Sequence, residues 1–65
     1  MLECLSEREL RILELIAQGR RNKAIALELG TSENTVRNQC VPLFRKLGVR
    51  NRTEAAVKYL EHLGW

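Results

Sequence analysis

Apolar residues along this chain recur at helical rather than alternating spacing, and capping residues and glycines punctuate them at regular points. Ser6 followed by Glu9 makes a capping box, with Leu5 ahead of it as half of a hydrophobic staple. Leu10, Leu13, Ile16 and Ala17 then repeat at helical intervals, Ile12 and Leu15 widen the stripe, and Gly19 supplies a stop. This predicts a first helix over 7–18. A second runs over 22–29, with Ile25, Ala26 and Leu29 facing inward and Gly30 ending it. Ala26 is small where two helices must approach, and Gly30 takes the positive φ that the turn requires.

Ser32 caps a third helix over 33–47, and Glu33 in its first turn complements the positive end of the helix dipole. Val36, Cys40, Leu43, Phe44 and Leu47 fall on one apolar stripe. Asn34, Arg37, Asn38, Val41 and Arg45 fall opposite, and Gly48 closes the helix. A fourth helix, over 52–63, opens on Asn51 and Glu54 as a second capping box and ends at Gly64. Its face Ala56, Leu60 and Leu63 suffices for the core, which leaves Val57, Tyr59 and His62 for a second surface. The fold class is therefore all-α with four helices. The middle two, joined by a short turn around Gly30, make a helix-turn-helix, the unit that places its second helix in the major groove of DNA.

Pro42 conflicts with this pattern. Inside a helix it removes the bond to the carbonyl of Asn38 and crowds it, at a usual cost of about 3 kcal/mol. The apolar stripe continues on both sides, so a kink between Asn38 and Pro42 is expected. The alternative is two shorter helices with Pro42 opening the second.

Size and composition narrow the function. A single domain of 65 residues buries only about 60% of the surface its unfolded chain exposes. Its core is thin, and a partner can add substantially to its stability. Leu, Ile, Ala and Val dominate, with Phe44, Tyr59 and Trp65 the aromatics. No apolar run approaches the roughly 18 residues of a membrane span and no signal peptide opens the chain, so a cytoplasmic location is expected. Cys4 and Cys40 stand far apart and His62 is the lone histidine, so a metal site is not expected and the cysteines read as small reduced hydrophobes. An enzyme is not expected either. The chain has no Asp, no Gly-rich phosphate loop and no nucleophile with a base, and it offers little room for a small-molecule pocket or cofactor.

The net charge of +3 is modest, but its distribution is not even. Residues 20–52 carry eight Lys or Arg against Glu28 and Glu33, a net +6, while the remainder is net −3. Such a basic block is the electrostatic footprint of nucleic-acid binding.

The motifs LSERE, AQG, NKxIA, SExTV, KLGV and RTEA, in this order from Leu5 onward, resemble the LuxR-type helix-turn-helix of the NarL/FixJ/GerE class. The resemblance covers essentially the whole chain. It implies a bacterial-type transcriptional regulator, or the C-terminal output domain of one, that binds specific double-stranded DNA with its third helix in the major groove. It also implies base contacts from Asn34, Arg37, Asn38 and, less consistently, Val41. Arg37 can present a bidentate fork to guanine, Asn34 or Asn38 can pair with adenine, and Val41 can touch a thymine methyl. Phosphate contacts are expected from Asn22, Lys23, Ser32, Lys46, Arg50, Asn51 and Arg52. The fourth helix would form a weak homodimer through Val57, Tyr59 and His62, and RNA polymerase is a possible further partner. Four positions depart from the family's usual pattern. Arg21 replaces a capping Ser or Thr, Ala24 a Glu, Gln39 a His or Tyr, and Pro42 an Asn or Ser. A competing reading, a protein-interaction module on the same fold, lacks an explanation for the basic outer face of the third helix.

Overall fold

The computed structural model describes residues 2–64; Met1 and the aromatic Trp65 lie outside the described residues. A single 3₁₀ turn, Leu2–Cys4, leads into four helices: α1 (Glu7–Ala17), α2 (Asn22–Leu29), α3 (Glu33–Leu47) and α4 (Arg52–His62). No strand occurs among the described residues. The helices fall where the caps and apolar stripes predict them, within one residue at each end.

The caps behave chemically as expected, with one difference. At α1 the Ser6 hydroxyl accepts from the Glu9 N–H at 3.1 Å, and the Ser6 N–H donates to Glu9 Oε1 at 2.9 Å, a complete capping box. At α2 the N-cap is Arg21, which gives no side-chain cap. At α4 Asn51 Oδ1 accepts from the Glu54 N–H at 2.9 Å, but Glu54 does not return the bond to Asn51. Its Oε1 accepts instead from the Arg50 N–H at 2.8 Å, one residue further out. The expected second capping box is thus a single cap plus a carboxylate brace across the turn before α4.

α3 runs unbroken through Pro42, so the alternative of two shorter helices does not hold. The stripe explains why. Val36, Cys40, Leu43 and Leu47 are all buried, with Phe44 packed alongside, while Pro42 itself is exposed. Burying such side chains contributes about 1.5–3 kcal/mol each for the larger ones, which outweighs one lost backbone bond on the solvent side.

The core draws Ile12, Leu13, Leu15 and Ile16 from α1, Ile25 and Ala26 from α2, the α3 stripe, and Ala55 from α4. Leu2, Leu5, Leu29, Val49, Ala56 and Tyr59 flank it. Two stripes are rotated from the sequence expectation. In α1, Leu10 and Ala17 are only half-buried, and Ile12 and Leu15 sit at the centre. In α4, Ala55 and Tyr59 face inward and Leu63 is exposed. An inward Ala55 lets α4 lie close against α1, its main neighbour. α2 packs mainly on α3. The turn between them is closed by Gly30 in the left-handed region at φ +69°, with the Gly30 and Thr31 N–H groups both donating to the Ala26 carbonyl.

Candidate nucleic-acid interface

With its apolar stripe spent on the core, α3 turns a polar face outward. Asn34, Arg37, Asn38, Val41 and Arg45 are all exposed, and Val41 is a large apolar side chain 55% exposed. The side chains of Asn34, Arg37 and Asn38 make no hydrogen bond or ion pair among the described residues. Their donors are therefore available to a partner. The same holds for the charges of Arg21, Lys23, Arg45 and Arg50, which lie within the basic block and form no ion pair among the described residues.

A groove of about 380 Å³ runs beside this face. Asn22, Arg37, Val41, Asn51 and Arg52 line it over a floor that includes Cys40 and Phe44. Five of the residues read from the sequence as DNA contacts thus meet in one place, although they come from α2, α3 and the start of α4. Burial pushes the Cys40 thiol above its ordinary value, and the nearby Arg52 charge opposes that only in part. Cys40 is a packed thiol on the apolar stripe, as its spacing predicts.

Other residues expected to touch phosphate are already engaged within the protein. Lys46 Nζ donates to Glu9 Oε1 at 2.8 Å and so ties the last turn of α3 to the cap of α1. That lysine bond and the Ser6 N–H hold the Glu9 carboxyl below its ordinary value. The Ser32 hydroxyl accepts from the Thr35 N–H at 3.0 Å and pairs with the Thr35 hydroxyl at 2.8 Å. Arg52 donates through Nη1 to Asn22 Oδ1 and through Nη2 to the Arg20 carbonyl, both at 2.9 Å. The Ser32 cap is the one its position predicts, but nothing in the sequence announces the Lys46 and Arg52 pairings, since their partners lie 37 and 30 to 32 positions away. A second cluster, Arg11 with Glu14 and Glu28 and Arg20 with Glu28, joins α1 to α2 at the surface.

On α4, Val57 is 49% exposed and His62 is exposed, and Leu63, which caps the end of the helix, is 55% exposed. Tyr59 is different. It packs against the core, and burial together with the adjacent Glu14 carboxylate raises its hydroxyl pKa. Its ring is partly buried against the core and partly exposed.

A helix-turn-helix domain with an outward polar helix and a flanking basic groove is the class these features define. Residues 3–59 match the family described as bacterial regulatory proteins, luxR family. The chain belongs to that family, one of DNA-binding transcriptional regulators. It is 47% identical over 51 residues to the transcriptional regulatory protein YdfI of Bacillus subtilis, covering 78% of this chain and 24% of that protein. It is 47% identical over 60 residues to the nitrate/nitrite response regulator protein NarP of Escherichia coli, covering 92% of this chain and 28% of that protein. With the spore germination protein GerE of B. subtilis it shares 45% over 56 residues, 86% of this chain and 76% of that protein. The chain spans about a quarter of the length of YdfI and NarP. No solved structure matches. No helix among the described residues is long and apolar enough to cross a membrane.

Proposed function

We propose that this domain binds specific double-stranded DNA with α3 in the major groove and so supplies the DNA-reading part of a transcriptional regulator. The observation that carries this reading is the outer face of α3, where Asn34, Arg37 and Asn38 are exposed and bound to nothing among the described residues. At about 1.5 Å per residue its 15 residues give a rod about 22 Å long, a fitting insert for a groove about 12 Å wide. Arg37 donates to guanine, Asn34 and Asn38 pair with adenine, and Val41 meets a thymine methyl. Lys23, Arg50, Asn51 and the amide of Asn22 flank this face and meet the phosphates, together with the backbone N–H groups at the start of α3 beside Ser32.

Two copies on adjacent half-sites associate weakly through α4, using Val57, the half-buried Leu60, Leu63 and His62. Those side chains fall far short of the roughly 800 Å² per partner of a standard stable interface, so DNA must hold the pair together.

The direct test is duplex binding followed across a salt series. The expected result is an affinity that falls steeply as salt rises, because each phosphate contact releases condensed counterions. No binding to any duplex at low salt would overturn the reading in favour of a protein-interaction module.

A further inference from the structure

Arg52 stands among the residues whose charge and location suggest contact with DNA, yet both of its terminal nitrogens already donate inside the protein. Nη1 donates to Asn22 Oδ1 and Nη2 to the Arg20 carbonyl, each at 2.9 Å. The second bond pins the loop between α1 and α2 to the start of α4. The first has a chemical consequence for Asn22. A guanidinium carries only donors, so it can face only the oxygen end of a side-chain amide. That fixes which way the amide points: the oxygen turns in toward Arg52, and the NH₂ end is left with no partner among the described residues. A freely rotating asparagine would present its oxygen to an approaching phosphate as readily as its donors.

The location fits the consequence. Asn22 and Arg52 line the same groove as Arg37 and Val41. Arg52 forms no ion pair among the described residues, so its charge is uncancelled and polarises the amide it holds.

We propose that Arg52 is a positioning residue for the DNA backbone: it locks the Asn22 amide with both N–H groups facing a phosphate and does not itself ligate one. This rests on the reading of the α3 face as a DNA-binding surface.

The test is a double-mutant cycle on Asn22→Ala and Arg52→Met, read as binding to a mixed-sequence duplex of about 30 base pairs at about 50 mM salt and upward. Thermal unfolding of each variant is read alongside. Each single substitution is expected to weaken binding about tenfold, and the double to be no weaker than the worse single. The salt slope separates positioning from contact. Removing a direct cationic phosphate ligand lowers the slope by about 0.9, so Arg52→Met is expected to change it by less than about 0.3. Asn22→Asp keeps an oxygen for Arg52 and a sound helix start while replacing the outward donors with a second oxygen. It is expected to keep the melting temperature and to lose binding more than Asn22→Ala does, which tests the outward donors of Asn22 separately from Arg52. Additive losses, a slope reduced by about 0.9 in Arg52→Met, or an Asn22→Asp that binds like the unchanged protein would overturn the proposal and leave the DNA reading intact. An unchanged protein that binds no duplex would overturn both.

Discussion

One carboxylate and one glycine carry much of the order around the polar face of α3. Glu9 accepts from the Ser6 N–H and from Lys46, so a single side chain both starts α1 and anchors the end of α3. Its depressed pKa fixes the sign of a pH effect. A carboxylate held below its unfolded value stabilises the fold at pH values above the unfolded pKa, and that contribution disappears as pH falls through the folded value. Glu9→Gln is therefore expected to lower the melting temperature at neutral pH, with the gap to the unchanged protein closing as the pH drops through the carboxylate range. Melting curves across a pH series check this. Gly30 sits at φ +69° with open space where a Cβ would stand, so Gly30→Ala meets strain alone and no clash. A loss of about 1–2 kcal/mol in urea unfolding is expected. The chain's exposed donors were legible from sequence at this scale, because helical phase alone sends Asn34, Arg37 and Asn38 outward. The committed ones, Lys46 and Arg52, were not legible, because their partners come from remote parts of the chain.

Helix boundaries followed from local chemistry, since Ser6, Ser32 and Asn51 each accept the backbone bond that their position in the sequence promises. Helix phase followed only where the pattern was one-sided. α3 has one apolar stripe and one polar face, and its orientation came out as expected. α4 and its cap carry Ala55, Ala56, Val57, Tyr59, Leu60 and Leu63, which leave no clear polar side. Its phase is set by the packing of Ala55 against α1, which sequence spacing does not reveal. The same logic explains Pro42: tertiary burial on one side of α3 overrides a local helix breaker on the other. Pro42 is exposed and costs a backbone bond, so Pro42→Ala is expected to stabilise the domain by about 1–3 kcal/mol, measured as a higher urea midpoint at unchanged slope.

At the scale of the whole molecule, four short helices close around one thin core and leave a basic, polar face whose Asn34, Arg37 and Asn38 side chains bond to nothing among the described residues. The segregation of charge was visible in the sequence, whereas the groove that gathers Asn22, Arg37, Val41, Asn51 and Arg52 emerges only when α2, α3 and α4 are assembled. If the outer face of α3 reads bases, Arg37, with its bidentate fork, contributes most to the discrimination. The most direct measurement compares Arg37→Ala with the unchanged protein on a duplex selected by the domain from a random pool and on a shuffled duplex of the same composition. A loss of about 1–3 kcal/mol on the selected duplex, with little change on the shuffled one and relaxed preference at a single base position, is the predicted result. Equal losses on both duplexes would contradict it.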